Sequence, residues 1–284
     1  MHNRIRMIDD VSSEELLNAC IEHIGNVEQR EKIENLKDEI LHAIDEYKMK
    51  AASGKLYAMS HMDLDDDVKE TLISLYKNQM GNKKNENLPR KTYERILKNV
   101  NYECPYCSVG SLRTIDHFLP KNKNAFPEFA VAIENLVPAC SDCNHIKGEY
   151  VSTDINNQFL HPLFDEEINE KWLIADFIIS NDKPFFIYRV MDTDAIEPVL
   201  LQRIKFQFKF LDLAQIYEGK AISKFYEMSD KWKHNPDENS LCEAIGHIYN
   251  QSNVNNWETC FGEALINKAN LLSRYLKHKI LSDI

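Results

Sequence analysis

Two cysteine pairs constrain this chain more than any other feature. Cys104-x2-Cys107 and Cys140-x2-Cys143 stand 32 residues apart. Each pair offers two thiolates to one ion, and four thiolates suit tetrahedral zinc. Four protein ligands leave no open position, so a structural zinc is expected rather than a catalytic one. The chain has seven cysteines, an odd number. With no secretory signal at MHNRIRMIDD, a disulfide framework is not expected, and the cytoplasm is the expected compartment. Cys20, Cys242 and Cys260 read as small apolar residues in helical patterns.

The segment between the pairs reads as short extended pieces and a helix. Thr114 to Pro120 alternates as a strand, and Asn135 to Cys140 is a second extended piece. Ser141 to Gly148 opens on a residue suited to capping and closes on a glycine, as a short helix does. The expected unit is therefore ββα with a zinc clamp at its base. Adjacent Asp116 and His117 point to opposite faces of a regular strand, so the strand must twist or end there if both are to reach one site. Arg113, Lys121 and Lys147 read either as phosphate contacts or as solvent-facing cations.

The flanks are helical. Ser12 and Glu15 have capping-box spacing, and Ile33, Leu36, Ile40, Ile44 and Tyr47 follow at helical intervals, so one or two helices are expected over 12–50. Asp63 to Asp67 suits the start of a helix running to Met80. Residues 81–89 are expected to be a loop, and 90–98 a short helix. Further on, 174–180 and 185–190 are rich in β-branched and aromatic residues and read as a hairpin. Helices follow from Glu197, ending in a stripe of Leu265, Ala269, Leu272, Leu276 and Ile280. The expected class is α+β, mainly α-helical. Three parts are expected: a helical region at 1–100, the zinc-bound finger at 101–165, and a mostly helical region with a short hairpin at 166–284.

The net charge of −11 argues against a protein that coats nucleic acid through bulk charge. No apolar run is long enough to span a bilayer. Positive charge gathers between Lys77 and Lys98, where Lys83, Lys84, Arg90 and Lys91 lead toward the first cysteine pair. That block reads either as a solvated helix face or as a phosphate-facing surface.

The order CxxC, Asp-His-x-x-Pro-Lys, Asn-Leu-x-Pro-x-Cys-x-x-Cys-Asn-x-x-Lys, from Cys104 to Lys147, resembles the HNH or His-Me finger endonucleases. The resemblance implies His117 as general base. It implies Asp116 and Asn144 as ligands of a catalytic divalent ion, and Asn135 as the residue that bonds across the loop and orients His117. Asn144 stands where many members carry histidine. An amide oxygen is a harder ligand than imidazole, which favours Mg²⁺ or Mn²⁺. The substrate so implied is nucleic acid, double-stranded DNA above all. More loosely, the helical lead and the His161-Pro-x-Phe-Asp165 segment look similar to HNH subunits of bacterial anti-phage defence systems of Septu or retron-linked type. That likeness implies an ATPase or sensor partner docked on the helical flanks; a homodimer is the other expected assembly. His161 and Asp165 read as a turn packed under the finger or as residues near the site. The alternatives are a zinc-stabilised module with no catalysis, or a stand-alone restriction or homing nuclease.

Overall fold

A computed structural model describes residues 4–98, 103–248 and 253–282. The chain divides into two compact units, His2–Glu167 and Ile168–Ile284. The boundary expected at residue 100 falls outside the described residues. The helices before it and the finger after it lie in one unit.

In the first unit, α1 (Ser13–Ile21) starts at a complete capping box: Ser12 accepts from the Glu15 amide, and the Glu15 carboxylate accepts from the Ser12 amide at 2.8 Å. The long α2 (Val27–Ala52) buries Ile33, Ile40, Ile44 and Tyr47 along one stripe. Next, α3 (Asp66–Leu75) runs into a π-helical turn, Tyr76–Met80. Then α4 (Leu88–Lys98) begins two residues earlier than its charge pattern suggests, because Pro89 is accommodated in the first turn, where no amide hydrogen is needed.

The finger follows. β1 (Thr114–His117) and β2 (Leu136–Ala139) pair antiparallel with Asp116 opposite Val137 and His117 opposite Leu136. α5 (Ser141–Lys147) completes the ββα unit. The segment joining the strands is no surface loop: 125–135 is buried throughout, held against α1, α2 and α3. Glu134 anchors it, bonded to Ser13 of α1 and paired with Lys48 of α2. So α1–α4 form the core of the nuclease-like unit. The inner faces of α1, α2 and α3 are therefore occupied by the segment that joins the strands.

The second unit is built on a hairpin, β3 (Leu173–Ser180) and β4 (Lys183–Val190). Its turn is two residues long, shorter than the pattern suggests. Asn181 and Asp182 take φ of 49° and 56°, which suits the right-handed twist of the strands. α6 (Pro198–Phe210), α7 (Leu213–Trp232), α8 (Glu238–Ile248), α9 (Trp257–Ile266) and α10 (Ala269–Ser282) follow. α7 packs on β4 and α9 on β3, burying Phe177, Phe186, Phe225 and Phe261 together. The late apolar stripe is broken: Leu265 lies in the last turn of α9, and Ala269 opens α10. The side chain of Ile280 lies outside the description. No helix among the described residues is long and apolar enough to cross a membrane.

Candidate active site and zinc clamp

The four cysteines meet. The Sγ atoms of Cys104, Cys107, Cys140 and Cys143 all lie within 4.8 Å of one another and are buried. Zn–S bonds of about 2.3 Å in a tetrahedron place sulfurs about 3.8 Å apart. Cys107 and Cys140 stand at 3.9 Å. Backbone amides point at the sulfurs, Gly110 to Cys107 and Cys143 to Cys140, each at 3.4 Å. The cluster fits a zinc ion. Cys140 also caps α5 with its sulfur, so the cap expected from Ser141 belongs to its neighbour.

Gly110 is required by this packing. A Cβ there would come within 2.4 Å of the Cys140 Cβ and 2.6 Å of its sulfur. The Gly110→Ala protein is expected to bind less zinc and to melt at lower temperature, read by elemental analysis and calorimetry. Wild-type zinc content and melting would show that the knuckle can give way.

Beside the clamp lies an open cavity of about 280 Å³ whose wall includes Asp116, His117, Lys121 and Asn144. The structure thus brings together the expected base and both expected ion ligands. β1 ends at His117, which lets consecutive side chains share the cavity. The His117 Nε2 lies 2.9 Å from the Ala130 carbonyl. A carbonyl can only accept, so this nitrogen carries the proton and Nδ1 holds the lone pair. Lys121 Nζ lies 3.4 Å from Nδ1. Burial holds the ring well below the ordinary imidazole range, and the Lys121 charge adds to that. Both effects favour the neutral form of the ring. Burial also lowers Lys121 from the ordinary lysine range.

Asp116 sits deeper. Its carboxylate accepts from Tyr106 at 2.8 Å and pairs with Lys147 at 3.1 Å. Burial pushes it above the ordinary carboxylate range, opposed by Lys147. Lys147 also donates to the His117 carbonyl at 2.9 Å. Its side chain is 1% exposed, so the phosphate contact expected of it is corrected. Lys147 is an internal counter-charge because α5 aims it inward past Asp116. The Asn144 amide nitrogen donates to Thr114 at 3.0 Å, leaving its oxygen as the atom it offers a cation. A carboxylate and an amide oxygen on one cavity form a hard, oxygen-donor set of the kind that suits a divalent cation. Such an ion would share Asp116 with the Lys147 ammonium.

Asn135 makes no side-chain hydrogen bond to His117. Fully buried, it bonds the backbone of Leu119 on one side and of Phe129 on the other. Arg113 is exposed at the start of β1. Lys83, Lys84 and Lys91 are exposed as well, but Arg90 is not available to a phosphate. It is 9% exposed, bonded to Glu94 and the Met80 carbonyl, and stacked over Tyr93. Residues not expected at the site also appear there. Tyr76, from the π-helical turn, sets its ring edge-on to His117 at 4.4 Å and carries Lys121 over its face at 4.7 Å. Tyr106, inside the first cysteine pair, holds Asp116. Tyr106 lies inside a CxxC motif, the faint signal that could have flagged it; Tyr76 stands in the helical lead and carries no such signal.

Residues 104–149 match the HNH endonuclease family model. No solved structure matches the chain. The expected kinship with defence-system nucleases finds no support in the relatives matched. The chain is 32% identical to protein ea31 of Escherichia phage lambda, with 74% of each sequence covered. With that match spanning far more than the finger, the chain belongs to the family of protein ea31 and carries an HNH endonuclease domain.

Proposed function

We propose that this protein is a divalent-metal-dependent endonuclease that hydrolyses phosphodiester bonds of double-stranded DNA. The state of His117 carries the reading. Its surroundings favour the neutral ring, its Nε2 is committed to a backbone carbonyl, and its Nδ1 lone pair sits in the wall of the cavity that Asp116 and Asn144 share. In this mechanism Nδ1 takes a proton from a water aligned on the phosphorus. Lys121, beside that nitrogen, contacts the phosphate and disfavours a lasting imidazolium, so the proton returns to solvent in the open cavity, from which the leaving 3′ oxygen takes its own. Asp116 and Asn144 would hold the divalent ion. When bound, the ion supplies charge stabilisation to the phosphorane and the leaving 3′ oxygen. Tyr106 and Lys147 keep Asp116 oriented.

One base and one ion act on one strand. Zinc-loaded protein with supercoiled plasmid and Mg²⁺ or Mn²⁺ is expected to yield nicked circles first, and EDTA to stop the reaction. Linear product requires a second centre, from a homodimer or a larger assembly. Absence of cleavage with either ion would overturn the reading, and preference for an RNA substrate would change its substrate class.

Exposed Lys83 and Lys84 are proposed DNA contacts. The double variant Lys83→Glu, Lys84→Glu is expected to bind DNA more weakly and to reduce the salt slope by about one per lost phosphate contact. Fluorescence anisotropy at several salt concentrations measures both. An unchanged slope would remove these lysines from the interface. Arg90→Glu is expected to act on melting temperature instead, because its guanidinium is internal.

A further inference from the structure

We infer that Tyr47 and His161, both outside the HNH-matched segment, are positioning residues that hold the general base through Asn135. The inference rests on the nuclease reading and assigns what the helical lead and the 161–165 segment contribute to it.

Every proton in the connection is assigned by its partners. The Leu163 amide lies 3.2 Å from His161 Nδ1, and an amide can only donate. His161 therefore carries its hydrogen on Nε2, which lies 2.9 Å from the Tyr47 hydroxyl. Tyr47 accepts there and must give its own proton elsewhere. The acceptor is Asn135 Oδ1 at 3.2 Å. The same oxygen accepts from the Leu119 amide at 2.7 Å. On its other side Asn135 donates to the Leu119 carbonyl at 2.9 Å and the Phe129 carbonyl at 3.2 Å. Leu119 is two residues past His117. Phe129 precedes Ala130, whose carbonyl accepts from His117 Nε2. Asn135 thus joins the backbone that carries the base to the backbone that sets its tautomer.

The relay has no water-accessible link. Tyr47 is 1% exposed, and His161 and Asn135 are 0% exposed. Burial keeps the Tyr47 hydroxyl protonated. The His161 ring is fixed by stacking on Phe118 at 4.1 Å and by Phe164 edge-on at 4.9 Å. Asp165 accepts from the His161 amide at 2.6 Å and locks the turn. Apolar side chains could fill this space. Three buried polar groups connected in one direction, ending at the Asn135 that ties together the two backbone segments flanking the base, specify a single position for those segments.

The test uses zinc-loaded full-length protein and the variants Tyr47→Phe, His161→Leu and His161→Gln. Glutamine can still donate to Tyr47 and serves as the rescue. Displacing a catalytic group slightly lowers turnover by about 10- to 100-fold. Tyr47→Phe and His161→Leu are expected to lose that much kcat at unchanged KM, and His161→Gln to stay near wild type. A second readout needs no substrate. In nitrogen-15 histidine NMR, the His117 Nε2 hydrogen is expected to exchange about tenfold faster in Tyr47→Phe than in wild type or His161→Gln. Folded Tyr47→Phe with wild-type kcat and wild-type exchange overturns the inference. If wild type cleaves nothing, the nuclease reading fails while the exchange rates still decide the positioning. Should His161→Leu not fold, Tyr47→Phe decides alone.

Discussion

Cys107→Ser protein is expected to contain no zinc and to lack a folded finger. The finger is too small to stand on its own packing. Its strands are four residues each and its helix seven, and a two-stranded sheet is marginal in water. Serine has no thiolate to give at neutral pH, so the ion loses a ligand. A structural zinc contributes about 10–16 kcal/mol in finger peptides, and that binding energy is folding energy. The loss reaches the cavity directly. Cys140 and Cys143 hold the start of α5, and α5 carries Asn144 and Lys147 into the site. The second unit keeps a core of its own, so far-ultraviolet dichroism is expected to retain much of its helical signal. Amide exchange across 104–148 should rise while that of α7 and α9 stays low. Elemental analysis gives the metal content. A zinc-free Cys107→Ser protein with wild-type protection in the finger would show that packing alone holds this segment.

How far the site could be read in advance depended on whether its determinants are local. Cysteine spacing, strand alternation and a terminal glycine are all local, so the clamp, β1, β2 and α5 were legible from Cys104 to Gly148. The capping box at Ser12 was legible for the same reason. Burial of charge was not. Lys147 meets Asp116 across 31 residues, and nothing in its own neighbourhood distinguishes it from a solvated lysine. Arg90 sits in a basic block that looks uniform, yet its guanidinium turns inward to the Met80 carbonyl exposed by the π-helical turn. Tyr47 was legible as a member of an apolar stripe, and it is buried there. Its hydroxyl is what periodicity cannot show, because a stripe looks the same whether it ends in a ring or in a hydrogen-bond donor. The joining of α1–α4 to the finger was hidden too. It depends on residues 125–135 being drawn into the interior, a contact between distant parts of the chain.

His117→Ala protein is expected to lose cleavage by about 10²- to 10⁴-fold, the usual cost of removing a positioned general base. The zinc should remain, because no cysteine contacts are altered and α5 keeps its Lys147 bond to the residue-117 carbonyl. The fold should weaken but persist. Deleting the ring leaves the Ala130 carbonyl without its buried donor, a loss of about 1–3 kcal/mol. It also opens a gap against Tyr76. These effects separate the base from the ion ligands. Asn144→Ala acts on metal affinity, so raising Mn²⁺ is expected to restore part of its activity. No concentration of Mn²⁺ supplies a proton acceptor, so His117→Ala should stay inactive in the same titration. Added imidazole can enter the gap left by the ring and is expected to restore some cleavage to His117→Ala and none to Asn144→Ala. Measuring nicked plasmid against time for the two variants, with zinc content checked in each preparation, gives the comparison. Wild-type cleavage by folded, zinc-loaded His117→Ala protein would mean that the water is activated elsewhere, and the roles assigned to Lys121, Asn135 and Tyr47 around this ring would fall with it.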